Sequence, residues 1–264
     1  MGILNVTPDS FSDGGKFLDP ERAVQQGMRL ASDGADFIDV GGESTRPGSE
    51  PVDEEEEIRR VVPVIAQLTK SLRIPISIDT YKARVAGAAL AAGAVIVNDI
   101  SAMTFDPAMA SVISRHRAAV VLMHMQGAPK TMQDNPVYQD VVTEIREYLL
   151  ARAEAAARAG IAGIIVDPGI GFGKKLEHNI RLLRELRTIA SAGYPLLIGP
   201  SRKSFIGAIL DLPAGERVEG TAAAVTAAIF RGANIVRVHD VKEMKRVAAV
   251  SDALKPRLPV RTEI

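Results

Sequence analysis

The chain contains no cysteine and no tryptophan, few aromatic residues and no excess of either charge. Without cysteine there can be neither a disulfide framework nor a thiolate metal site. Aromatics at only 4% leave the core to Ala, Val, Ile and Leu, which suits helices packed closely on a parallel sheet. Lys plus Arg and Asp plus Glu each number 32, so no overall field draws the chain to nucleic acid or to an anionic membrane. Any positive site must be local. No apolar run approaches the roughly 20 residues that span a bilayer, and Met1 to Val6 lacks the basic flank and apolar core of a signal peptide. The expectation is a soluble cytoplasmic protein.

What is present is one phrase, repeated: a helical pattern, a glycine, then a short β-branched run ending in a polar residue. The glycines are Gly34, Gly93, Gly160, Gly193 and Gly232, each suited to the left-handed position past a helix end, where a side chain would clash. The runs after them are Phe37 to Val40, Val95 to Asn98, Ile164 to Asp167, Leu196 to Ile198 and Ile235 to Val238. Three more, Ile3 to Val6, Ile76 to Asp79 and Val120 to His124, share the form without the glycine. Strands alternating with helices imply parallel strands with crossover helices, and eight such units fit a barrel of about 250 residues. An open doubly wound sheet is the competitor, but no Gly-x-Gly-x-x-Gly follows the first strand. The expected architecture is a single-domain (β/α)8 TIM barrel over residues 1–264.

Helix starts are readable as well. Asp19-Pro20 and Asp106-Pro107 have the form of an N-cap followed by a first-turn proline. Asp53 with Glu56 resembles a capping box opening a helix to about Lys70, and the acidic run Asp53 to Glu57 reads as a solvated first turn. Tyr138 to Ala159 and Thr221 to Phe230 are further helices. The longer loops, Thr7 to Phe17, Gly42 to Val52, Gln126 to Pro136, Gly169 to Lys175 and Ser201 to Pro213, all follow strands. In a barrel those loops form the active face, and long ones can enclose a reaction.

Polar residues sit where strands should be apolar: Asn5, Asp39, Asp79, Asn98, Asp99, Asp167, Arg237 and His239. A buried carboxylate or amide is costly unless paired, so each asks for a partner or a ligand. Asn98 and Asp99 point to opposite faces, and only one of them can line the barrel. Asp39 and Asp99 read as supports for the others. Arg237 and His239, two residues apart, share a face beside Ser201-Arg202-Lys203-Ser204. Loops after strands seven and eight commonly bind phosphate in barrels, which makes this pair a candidate pyrophosphate site. A Schiff-base role for Lys203, activated by Arg202, is the alternative. His116 and His178 read as surface residues and His124 as structural. No carboxylate-rich metal cage is apparent, so a metal such as Mg²⁺ would arrive with substrate phosphates.

These motifs resemble those of dihydropteroate synthases from the first residue to strand eight. Met1 to Gly15, Gly41-Gly42-Glu43-Ser44-Thr45-Arg46-Pro47-Gly48, Ser77 to Thr80, Val97 to Ile100, Asp167 to Lys174, Ser201 to Ser204 and Arg237 to Val241 occur in family order, each at a strand end. The resemblance implies a transferase of folate biosynthesis that joins 6-hydroxymethyl-7,8-dihydropterin diphosphate to p-aminobenzoate and releases pyrophosphate. By the same resemblance Asp79, Asn98, Met123, Asp167 and Lys203 hold the pterin, and Asp79, Lys203 and Arg237 are catalytic. Asn5, Thr45, Arg46, Arg237 and His239 take pyrophosphate, with Asn5 the Mg²⁺ ligand. Phe11, Thr45, Pro47, Phe172, Lys203 and Ser204 form the p-aminobenzoate pocket, which sulfonamides also occupy. A homodimer through the later helices is implied too.

The chain departs from the family pattern in three ways. It begins on the first strand, where the family usually carries earlier residues; Ile170 stands for a more usual Phe, and Phe205 for a more usual Met. Two other readings share these motifs: a methyltetrahydrofolate–corrinoid methyltransferase barrel and a non-catalytic pterin-binding protein. A methyl donor has no pyrophosphate to hold, which counts against the first, and every carried-over polar position is filled, which counts against the second.

Overall fold

The computed structural model describes residues 1–7, 19–44 and 48–255. The first half of the chain runs β1 (Gly2–Asn5), α1 (Pro20–Ser32), β2 (Ile38–Gly41), α2 (Glu54–Ser71), β3 (Ile76–Asp79), α3 (Ala83–Ala91), β4 (Ile96–Asp99) and α4 (Met109–His116). The second runs β5 (Ala119–Met123), α5 (Val141–Arg158), β6 (Ile164–Asp167), α6 (Leu176–Arg184), α7 (Leu186–Ala190), β7 (Leu197–Ile198), α8 (Ser204–Leu210), α9 (Val218–Phe230), β8 (Ile235–Val236) and α10 (Val241–Leu254).

All pairings are parallel, β1 through β6 in sequence order and β7 with β8. Single parallel bridges join the two sheets at both seams, Val166 to Leu196 and Gly2 to Val238. The Val238 amide donates to the Met1 carbonyl and the Ile3 amide to the Val238 carbonyl. The eight strands therefore close into the expected (β/α)8 barrel, and the open-sheet alternative falls. All five glycines that precede strands take positive φ, from +83° at Gly160 to +111° at Gly93, a conformation that costs a side chain about 1 kcal/mol or more. No helix among the described residues is long and apolar enough to cross a membrane.

Alternation divides each strand. Leu4, Ile38, Val40, Ile76, Ile78, Val97, Val120 and Leu122 face the helices and belong to the main core. The opposite parity lines the barrel, with Met1, Ile96, Val121 and Leu197 forming an apolar floor. Ile170 and Phe205, the two residue replacements among the departures from the family pattern, lie in one cluster between the later helices and the sheet.

Several local expectations change. Asp19 does cap α1, accepting from the Glu21 and Arg22 amides, with Pro20 in the first turn. Asp106 does not cap α4, which begins at Met109; its carboxylate instead accepts the Ala108 and Ala83 amides, the latter opening α3. Asp53 caps α2 through the Glu55 amide, but Glu56 pairs with Arg59 and Arg60, so there is no reciprocal box. Glu57 is not solvated. It lies on the buried face of α2 with Val61, Val64 and Leu68, because helical spacing carries it inward. The stretch after β7 is not all loop, since α8 occupies its middle.

Candidate active site

The inward residues at the C-terminal ends of the strands form a polar layer above the apolar floor. Register sets them side by side: Asn5 opposite Gly41, Gly41 opposite Asp79, Asp79 opposite Asn98, and Met123 opposite Asp167. One level below, Asp39 pairs with Ser77. Asp99 points the other way, where it accepts the Ser101 and Met103 amides and the Ser101 hydroxyl, and so shapes the loop after β4.

Arg237 is the centre of this layer. Its Nε donates to Asp39 Oδ2 and its Nη2 to Asp79 Oδ2, both at 2.6 Å. Asp39 Oδ2 also accepts from Asn98 Nδ2 at 2.8 Å. One guanidinium thus lies between two buried carboxylates, an arrangement that repays the desolvation of the charges only where the geometry is good. The accounting is incomplete: Asp79 Oδ1, Asp39 Oδ1 and Ser77 Oγ are buried without a hydrogen-bond partner. Asn98 commits one of its two amide N–H donors to Asp39, which leaves its side-chain carbonyl oxygen and its second N–H for a ligand. Burial pushes the Asp79 carboxyl up to about 7 against the opposing pull of Arg237. Asp167, which accepts the Gly169 amide at 2.7 Å, is pushed up to about 6 by the same cause. Three acceptors converge on a space with too few donors.

The loops after β6, β7 and β8 supply the other wall. Ser201 accepts the His239 amide, and its Oγ lies 3.0 Å from His239 Nδ1. The hydroxyl accepts that amide through one of its two lone pairs and can donate its proton to Nδ1, in which case the imidazole carries its own proton on Nε2. Arg202, which the sequence suggested might activate Lys203, is paired in a fork with Asp240, so its charge is already answered. Lys203 Nζ lies over the Phe172 ring, 3.9 Å from its centroid, within cation–π range. Ser204 is exposed at the first residue of α8, and Met123 is buried at the end of β5. Asn5, half-buried at the end of β1, makes no side-chain hydrogen bond among the described residues. Phe11, Thr45, Arg46 and Pro47 lie outside the described residues.

Sequence reasoning missed the supports of this site. Lys82 Nζ joins Glu43 Oε2 at 2.5 Å, Glu57 Oε2 at 2.6 Å and the Val52 carbonyl at 2.6 Å, and Tyr81 donates to Glu43 Oε1. This network ties both ends of the segment 43–52 to the barrel. A glutamate on the apolar stripe of α2 was the signal available for it. His124 is structural, as expected, but buried against Lys174. His178 is not a free surface residue: it packs on Tyr138 and accepts the Lys175 amide.

Comparison with known proteins agrees with this geometry. The family described as pterin binding enzyme matches residues 1–239. The dihydropteroate synthase of Synechocystis sp. is 52% identical over 257 residues, covering 96% of this chain and 89% of that one. The solved dihydropteroate synthase of Clostridium difficile, in the presence of pteroic acid, superposes with a TM-score of 0.91 at 47% identity, covering 97% and 96% of the two chains. That of Xanthomonas albilineans with 4-aminobenzoic acid also gives 0.91, at 45% identity and 98% and 93% coverage. A closed barrel, a donor-poor polar mouth and near full-length identity of this order lead to one family: the chain belongs to the pterin-binding enzymes, and among them to the dihydropteroate synthases.

Proposed function

We propose that the barrel mouth condenses 6-hydroxymethyl-7,8-dihydropterin diphosphate with p-aminobenzoate, and that it does so by a dissociative displacement. The observation that carries this reading is the set of acceptors around Arg237: Asp79 Oδ1 without a partner, the Asn98 side-chain carbonyl oxygen, which makes no hydrogen bond among the described residues, and Asp167 close by. An aminopyrimidinone ring presents paired N–H donors, and carboxylates and amide oxygens are their complement. Met123 packs against the ring. Lys203, held over Phe172, lies between the pterin and the p-aminobenzoate, whose pocket we assign to Phe172, Ser204, Phe11, Thr45 and Pro47.

Arg237 and His239 Nε2 face the diphosphate, joined by Arg46 and Thr45. Among the described residues no group of three His, Asp or Glu gathers to cage a cation. Asn5 offers one neutral oxygen donor at the mouth, a set that fits Mg²⁺ carried in on phosphate oxygens and completed by water. Bound there, the ion would neutralise charge on the leaving group. The residues do the rest. Arg237, His239 and Arg46 hold the departing pyrophosphate, while the carboxylates of Asp79 and Asp167 stabilise the positive charge left on the pterin's exocyclic methylene. The attacking aromatic amine is neutral at pH 7 and needs no strong base, and the layer offers none beside Lys203.

The whole chain acts as one pterin-binding unit in this reading, in the cytoplasm, as a homodimer. The apolar groove lined by Ile180, Leu183, Ile209, Leu210 and Ala227 on the later helices supports the last point. Deuterium at the methylene carbon tests the mechanism. A clear normal secondary isotope effect on the chemical step is expected, because the carbon becomes trigonal before attack. A value near unity where chemistry limits the rate would mean concerted attack.

A further inference from the structure

Lys174 is 3% exposed, yet among the described residues its Nζ meets no carboxylate. Its ammonium donates to three neutral acceptors: Phe172 O at 2.8 Å, His124 Nδ1 at 3.0 Å and His124 O at 3.3 Å. Three donors meet three acceptors, so the group is fully satisfied and His124 is fixed as the Nε2–H tautomer. Burial depresses both groups, Lys174 to about 7 and His124 to about 3, so the imidazole is neutral and free to accept, while Lys174 carries its full charge only below about pH 7. An apolar side chain would fill the same space at no desolvation cost. The charge is there to tie two segments together.

The segments are the end of β5 and the glycine-rich loop after β6. Gly169, Gly171 and Gly173 all take positive φ. A Cβ on Gly169 would fall on the His124 carbonyl oxygen, and one on Gly173 would sit 2.5 Å from the Gln126 carbonyl oxygen. The loop is thus pressed onto the β5 loop backbone to backbone. Its middle carries Lys203: a Cβ on Gly171 would lie 3.0 Å from Lys203 Cδ, and the next residue is Phe172, whose ring lies under Nζ.

We propose that Lys174 is a positioning residue for the reaction: it draws the Phe172 carbonyl and His124 onto one ammonium and so holds the Gly171–Phe172 cradle in which Lys203 lies. The inference rests on the assignment of Phe172 and Lys203 to the p-aminobenzoate pocket. Lys174→Met removes the tie and keeps the bulk. It should raise the KM for p-aminobenzoate about tenfold or more, while the Kd for pyrophosphate with Mg²⁺, read at Arg237 and His239, moves less than about twofold. A merely structural loss would move both. Phe172→Leu should raise the same KM, and the double variant should be no worse than the more affected single, because both act through one cradle.

If Lys174→Met does not fold, His124→Gln removes the ring nitrogen and keeps both carbonyls, and should show the same split with a smaller rise. Phe172→Leu without effect overturns the pocket assignment and this proposal with it. An effective Phe172→Leu beside an unchanged KM in Lys174→Met, or in His124→Gln where that variant stands in, overturns the role of Lys174 alone. So does an additive double variant.

Discussion

Two layers of the barrel interior, stacked along the same eight strands, obey opposite rules. In the floor, Met1, Ile96, Val121 and Leu197 interlock with no polar atom among their side chains, as a packed core should. In the layer above, Asp39, Asp79, Asn98, Asp167 and Arg237 are held in a network that leaves two carboxylate oxygens and the Ser77 hydroxyl unanswered. Each orphaned group costs on the order of 1–3 kcal/mol. The floor is built for the fold, while the upper layer is built for what enters it and weakens the fold until that happens.

The largest effect expected on this contrast comes from Arg237→Ala. Removing the cation strands Asp39 and Asp79 in the barrel without their partner, and breaking such a buried pair typically costs about 3–5 kcal/mol. Urea unfolding at pH 8, where Asp79 with its value of about 7 is mostly ionised, should show that loss, and pyrophosphate binding should fall with it. A variant as stable as the parent would mean that the carboxylates are already protonated or hydrated.

A smaller effect is one of sign. Asp79 and Asp167 have folded-state values near 7 and 6, raised from 3.8. A raised carboxylate contributes stability that is complete below its unfolded value and is lost as pH rises through its folded value. Their contribution to the stability of the ligand-free protein should therefore fall from about pH 4 to pH 7. Pterin affinity should run the other way, because only the ionised carboxylates accept both N–H donors, and it should strengthen between about pH 5 and pH 8. Calorimetry across that range checks it, with proton release on binding near pH 6 as a second reading. A flat affinity would remove both carboxylates from the pterin site.

The smallest effect is expected at the boundary between the layers. Ser77→Ala deletes a buried hydroxyl that has no partner, so stability should change by less than about 1 kcal/mol, and in the favourable direction. A clear loss in thermal unfolding would show that the hydroxyl is in fact engaged.

Much of this was legible in the sequence. The barrel was, because glycine punctuation and eight β-branched runs are local signals, and all five glycines take the conformation that their residue type implied. The polar strand ends were legible too, since a charged residue closing an apolar run has few structural uses. The partnerships were not. That Arg237 would lie between Asp39 and Asp79, 198 and 158 residues away, follows from closure of the ring. Arg202 looked like a phosphate cation until Asp240 was beside it. Glu57, in an acidic run, looked solvated until helical phase turned it toward Lys82. Lys174, the last residue of the motif Asp167 to Lys174, gave no sign that its charge would be buried.

The central claim is that the upper layer serves the ligand at the expense of the fold, and Asp167→Asn tests it most directly. Asparagine keeps the oxygen that accepts the Gly169 amide but removes the charge that burial disfavours. Thermal unfolding at pH 8, with and without the pterin diphosphate, is the measurement. The account predicts a Tm above the parent's without ligand and a much reduced rise when the ligand is added. A variant that melts below the parent and still gains the full ligand-induced rise would contradict it.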